Sequence, residues 1–172
     1  MYLNIFKTKP DVSDLRYTTK GAACFDISSY LGYQGSVKAF TKSNAVVELL
    51  ATQNKEGKVY IEVPSEWRVL IPTGLMMDIP ENYSVRIYPR SGLSTKKGLN
   101  LINSVGIIDS DYIDEVFVPL YNNSQEKLAI FSGERIAQGE MVRNRKVDFE
   151  YLTTRPIVKT NRTGGFGSTG IS

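Results

Sequence analysis

Tyr83-Ser84-Val85-Arg86-Ile87-Tyr88, followed by Pro89-Arg90 and then Ser91-Gly92-Leu93-Ser94-Thr95-Lys96-Lys97-Gly98, holds the two local signals that decide the fold. The first six residues mix apolar and polar positions with β-branched and aromatic side chains, as a half-buried strand does. Ser91 to Lys97 is the best helix candidate in the chain. It starts after Pro89-Arg90 and stops at Gly98, where glycine tolerates the left-handed turn that ends a helix. Long amphipathic helical patterns are missing, whereas strand signals recur at Met1 to Phe6, Val59 to Val63, Val116 to Tyr121 and Lys127 to Phe131. Turn signals separate them at Gln53 to Gly57, Pro80 to Asn82, Asn122 to Ser124 and Ser132 to Glu134. Many short strands with regular turns read as an all-β sandwich, jelly roll or barrel. Pro119, inside an apolar run, suggests an edge or bulge position.

The totals bound the rest. A chain of 172 residues with a hydrophobic fraction of 41% fits one domain with a sizeable core. No apolar run approaches a membrane span and no signal-peptide pattern opens the chain, so a cytoplasmic protein without a membrane partner is expected. The single cysteine, Cys24, excludes an intrachain disulfide, which fits a reducing compartment. Histidine is absent, which removes Ser-His-Asp and Cys-His catalysis and leaves a carboxylate as the first choice of general base. The net charge of +3 is too small to argue for a nucleic-acid partner.

Five segments can carry chemistry. Tyr88 to Ser94 joins a strand to the short helix, and Arg90, Ser91 and Ser94 offer donors to an anion; equally, Ser91 can simply cap the helix and Arg90 be a surface charge. Asn103 to Tyr112 combines an amide, two carboxylates and a ring. In an extended chain Asp109 and Asp111 share one face; a polar turn is the plainer reading. Gly133 to Gln138 reads as a turn and strand start, with Gln138 able to donate to a phosphate or Glu134 and Arg135 forming a surface pair. Ala22 to Asp26 is a small-residue strand ending in one acid, read as a structural acceptor. Asn161 to Gly170 sets Phe166 among four glycines, with Arg162 before it and Ser168 and Thr169 after it. Glycine loses the most freedom on ordering, so this segment is either a disordered end or a mobile tail that orders over a phosphorylated ligand.

Taken together and in order, these segments resemble the trimeric dUTPases (dUTP diphosphatases). The family's five motifs match Ala22 to Asp26, Pro89 to Ser94, Gly106 to Tyr112, Gly133 to Gln138 and Gly164 to Gly170. The resemblance implies a distorted β jelly roll over residues 1–159 and a mobile arm over 160–172. It also implies a homotrimer with active sites shared between subunits, and hydrolysis of dUTP to dUMP and pyrophosphate. By the same resemblance, Asp109 activates the water that attacks the α-phosphorus. Tyr112 packs against the deoxyribose, Asn103 reads uracil, and Gly106 and Ile108 line the same pocket. Arg90, Ser91, Gly92 and Gln138 bind the phosphate chain, while Asp26 supports the metal waters or the phosphate loop. Phe166 stacks on uracil, and Arg162, Gly167 and Ser168 hold the end of the ligand. Mg²⁺ is implied, held by the substrate phosphates and waters with no direct protein ligand.

Three departures stand out. The family arginine of the last motif falls where this chain has Asn161, Ile113-Asp114 replaces the common pair after Tyr112, and Ser43 to Trp67 is long. That stretch suggests an extra hairpin turning at Asn54 to Gly57, either decoration or a docking surface for a protein partner. Two other activities are compatible with the pattern: a dCTP deaminase of the same fold, and a nucleotide-gated interaction protein.

Overall fold

The computed structural model describes residues 1–161. The sheet elements are β1 (Asn4–Lys7), β2 (Phe25–Ser28), β3 (Ser36–Phe40), β4 (Val46–Leu50), β5 (Thr52–Gln53), β6 (Val59–Val63), β7 (Arg68–Asp78) and β8 (Tyr83–Pro89). After the single helix α1 (Ser91–Lys97) come β9 (Leu99–Leu101), β10 (Gly106–Ile108), β11 (Glu115–Asn122), β12 (Leu128–Phe131) and β13 (Arg135–Arg143). They form three antiparallel sheets: β4-β3-β7-β11-β9 with β1 also on β7, β10-β8-β13-β2, and β12-β6-β5. The described residues are all-β with one short helix, as the strand and turn signals foretell.

One core holds the sheets together. Strand alternation sends Val69, Ile71, Val118 and Leu120 inward from the first sheet, Ile27, Val85 and Ile87 from the second, and Ile61, Val63 and Ile130 from the third; all are buried. Burying such side chains stabilises by about 1.5–3 kcal/mol each. The outer face of the second sheet carries polar residues. There Asp26 stands opposite Gln138, which in turn stands opposite Tyr88. The functional side chains ride on the wet face of strands whose other face is locked in the core.

Local details correct the sequence reading in three places. Helix α1 spans the expected residues and Gly98 ends it at φ +69°, but Arg90 occupies the N-cap and no side chain caps the start. Ser91 therefore does not cap; it is the first helical residue, and buried Leu93 anchors the turn beneath it. Pro119 is not on an edge strand, because β11 pairs with both β7 and β9. It sits one residue past the β9 ladder, where no donor is needed, and its carbonyl accepts the Ile102 N–H at 3.0 Å.

The stretch 43–67 is no self-contained decoration. The hairpin does turn at Asn54 to Gly57, with Asn54 Oδ1 accepting the amides of Glu56 and Lys58 at 3.0 and 2.9 Å. Yet β4 pairs with β3 in the first sheet, β6 pairs with β12, and Ala51, Ile61 and Val63 are buried. Ala51, Ile61 and Val63 are core residues and Val47, Leu49 and Val59 pack against the core, while Val46 and Leu50 stay exposed. The last strand, β13, ends at Arg143. Beyond Asn144, whose N–H donates to Asn82 O at 2.7 Å, residues 145–161 are exposed and carry no strand or helix. Val147, Phe149 and Tyr151 alternate as a strand would, but they find no partner strand within the described chain.

Candidate active site

Two separate constellations carry the expected residues. The first is built where β2, the start of α1 and the start of β13 meet. Asp26 Oδ1 lies 3.1 Å from Arg90 Nε, and Asp26 Oδ2 lies 2.9 Å from Arg135 Nη1. Thr18 Oγ1 also donates to Asp26, and Arg90 Nη1 donates to Arg135 O at 3.0 Å. The carboxylate is only 11% exposed, so it is a fixed post between two cations. Burial pushes the Asp26 carboxyl up. The bonds from Thr18 and Arg135 and the charges of Arg90 and Arg135 outweigh that effect, and the net shift is downward.

Behind this post Gln138 Nε2 donates to Pro89 O at 3.0 Å, tying β13 to the residue that precedes Arg90. Glu134 and Arg135 do not pair with each other. Glu134 takes Lys97 Nζ at 2.7 Å and the Phe131 amide at 3.1 Å, while Arg135 turns to Asp26. Alternation across the turn sends the two to opposite partners. Asp26, Arg90, Glu134 and Arg135 line a cavity of about 820 Å³ with Asp14, Arg16, Ser28 and Gly133. Ser91 and Gly92 are exposed at the adjoining helix start. Two arginines against one aspartate leave the post with an excess of positive charge, held in place before any ligand arrives.

The second constellation lies around β10. Among the described residues this strand pairs with β8 alone, so its other edge is open there. Gly106 and Ile108 are buried, and Ile107 between them points outward. Any side chain on Gly106 would stand 3.3 Å from Ile87 Cβ and 3.4 Å from Asn103 Nδ2, so Asn103 folds back over the strand start. Asp109 follows directly and is exposed. The extended geometry that would align Asp109 with Asp111 is not adopted. Residues 109–112 form a turn, closed by the Tyr112 N–H donating to Asp109 O at 3.2 Å, as Asp and Ser favour. The Tyr112 hydroxyl donates to Glu115 O at 2.7 Å. Burial first, then the charges of Asp114 and Glu115, raises the Tyr112 phenol, which keeps it a donor. A depression of about 200 Å³ is lined by Ile107, Ile108, Asp109, Tyr112, Val116 and Phe117.

The two cavities share no lining residue. One chain thus brings Asp26, Arg90 and Gln138 together, and separately brings Asn103, Gly106, Ile108, Asp109 and Tyr112 together. Arg162, Phe166, Gly167 and Ser168 lie outside the described residues. Sequence reasoning passed over Arg135, Thr18 and Glu115.

The chain is similar to known proteins in sequence and in fold. Residues 56–170 match the sequence profile of the dUTPase family. A deoxyuridine 5′-triphosphate nucleotidohydrolase from Finegoldia magna is 42% identical over 143 residues, covering 78% of this chain and 98% of that protein. In fold, the chain is similar to a dUTPase mutant of Staphylococcus bacteriophage 80alpha solved with dUpNHpp, at a TM-score of 0.74, 19% identity and 99% coverage of both chains. A second solved structure, a dUTPase mutant from phage phi11 of S. aureus described with a structural Mg(II) ion, has a TM-score of 0.69 and 16% identity, covering 90% of this chain and 99% of that one.

Proposed function

The chain belongs to the dUTPase family, and from that premise we propose how its own residues divide the hydrolysis of dUTP to dUMP and pyrophosphate. The post of Asp26, Arg90 and Arg135 takes the triphosphate. Arg90 faces the cavity in an orientation that Asp26 and the Arg135 carbonyl already fix, so little side-chain freedom is lost on binding. Ser91, Gly92 and Gln138 add donors beside it. Asn103 and the backbone of Gly106 and Ile108 read uracil along the open edge of β10, while the Tyr112 ring forms the wall that a ribose 2′-hydroxyl would strike. Asp109 orients a water and takes its proton as the oxygen attacks the α-phosphorus. Pyrophosphate then leaves as one piece.

The donor set fits magnesium carried on the substrate. Asp26 has both oxygens engaged by Arg90, Arg135 and Thr18, and a post of two arginines against one aspartate suits a polyphosphate better than a bare cation. When bound there, magnesium would supply neutralisation of the charge that develops on the leaving pyrophosphate. Arg90, Ser91 and Gln138 would hold that chelate through its phosphate oxygens.

The observation that carries this reading is the separation of the two constellations. The carboxylate and the phosphate post sit in different cavities of one chain, which supports a homotrimer whose sites are completed between subunits. Residues 160–172 would close each site, with Phe166 on uracil and Arg162, Gly167 and Ser168 on the phosphates. The test is pyrophosphate release from dUTP with magnesium, together with Asp109→Asn. The variant should lose about a thousandfold or more in kcat, while dUTP still binds within a few-fold of wild type. Retained turnover refutes the role of Asp109; ammonia from dCTP instead of pyrophosphate from dUTP refutes the activity.

A further inference from the structure

Strand β7 breaks step opposite the turn that carries Tyr112. The β7–β11 register jumps between Glu115↔Met76 and Phe117↔Pro72, so β7 bulges over Thr73 to Leu75. A bulge removes backbone groups from the ladder, and each must find another partner if buried. Here side chains supply them. Thr73 Oγ1 donates to Val116 O at 2.7 Å and accepts the Leu75 N–H at 3.2 Å. Gly74 O accepts the Thr8 N–H at 2.8 Å. The Gly74 N–H is left, and it donates to Glu115 Oε1 at 2.7 Å. Gly74 is buried at φ +69° with its carbonyl and N–H both bonded, and a Cβ there would overlap Val12 Cγ2, so only glycine fits this point of the bulge.

Glu115 thus holds a rigid point with its side chain and the Tyr112 hydroxyl with its backbone carbonyl, at 2.7 Å in both cases. Tyr112 closes the turn onto Asp109 in its turn. The ring is still 40% exposed, so packing alone does not fix it. We propose that Glu115 is a positioning residue for sugar discrimination: by clamping the 109–112 turn to the Gly74 bulge, it holds the Tyr112 ring where a 2′-hydroxyl would clash. This rests on the reading of Tyr112 as the deoxyribose wall. An unclamped ring could retreat and admit the ribose.

The test compares kcat/KM for dUTP and UTP in the intact assembly. Glu115→Ala should narrow the dUTP-over-UTP preference by about tenfold, whereas Glu115→Gln, which keeps the acceptor, should stay within about twofold of wild type. Tyr112→Phe releases the clamp from its other end without a void and should narrow the preference similarly. The double variant should add little to either single one, because both break one linkage. A folded Glu115→Ala protein with the wild-type preference overturns the proposal, as does a Gln variant as impaired as Ala. If Glu115→Ala does not fold, an unchanged preference in Tyr112→Phe overturns it alone. Tyr112→Ala separates the two readings. If it narrows the preference while the clamp variants do not, only the clamp falls. If it leaves the preference intact, the sugar wall falls and the clamp with it.

Discussion

Asp26→Asn tests whether the phosphate post is held by charge. The substitution keeps the shape and one acceptor oxygen but removes the negative charge between Arg90 and Arg135. A hydrogen bond to a charged group contributes about 1.5–3 kcal/mol net. The arginine side chains are 27% and 38% exposed, so water already screens part of the attraction. Two such bonds, discounted for that screening and for the acceptor retained, give a loss of about 2 kcal/mol. For a chain of this length that lowers Tm by roughly 4–8 °C. The pH dependence fixes the cause. The folded carboxyl titrates below its ordinary 3.8, so its contribution is present above 3.8 and lost as pH falls through the folded value. Scanning calorimetry of both proteins at equal protomer concentration should show the full Tm gap at neutral pH and a shrinking gap below 3.8. KM for dUTP should rise about tenfold as the guanidinium of Arg90 loses its fixed orientation. A gap that stays constant down to about pH 3, or a variant as stable as wild type, refutes an electrostatic post.

Two glycines separate fold from function. A Cβ on Gly139 would fall 2.5 Å from Phe25 Cε2 and 2.7 Å from its Cζ, inside the core beneath β13. Gly139→Ala should therefore lose about 1–3 kcal/mol, measured by urea unfolding, with KM altered only as far as the protein unfolds. Gly106→Ala meets Asn103 Nδ2 at 3.4 Å and Ile87 Cβ at 3.3 Å, contacts that yield to a small shift. It should raise KM for dUTP several-fold with a smaller stability loss, because the Asn103 amide moves off the base; a wild-type KM removes Asn103 from base reading.

Much of this was legible because local rules and the global fold agree. Alternation along Tyr83 to Tyr88 and the glycine after Lys97 act within a few residues, and both elements form where the pattern puts them. What was hidden depends on distant partners. Pro119 could be placed only once β9 was known to stop at the residue beside it. The stretch 43–67 looked like an appendage because the loop length is visible in sequence, whereas its burial against β3 and β12 is not. Arg135 and Asp26 are separated by most of the chain, and nothing in either segment names the other. Glu115 is the sharpest case: its role arises from a bulge in β7, a register fault with no sequence signature of its own beyond one glycine.

The apolar surface around Asp109 decides how the site must be completed. Ile107 is 56% exposed, Phe117 43% and Ile113 74%, all within or beside the segment that carries the carboxylate. An open strand edge flanked by wet aliphatic and aromatic side chains is a liability for a lone chain and a ready interface for another copy. On the proposed reading the second copy brings the phosphate post to that edge. On that reading neither cavity alone would hold both the reacting phosphorus and its general base. Specific activity should then fall as protomers are diluted through the assembly midpoint, in parallel with the sedimentation coefficient, while the isolated phosphate post keeps its geometry. A lone chain that sediments as a monomer and hydrolyses dUTP at the undiluted rate would mean that one chain brings Asp109 and Arg90 to the same triphosphate, against the separation that their two cavities display.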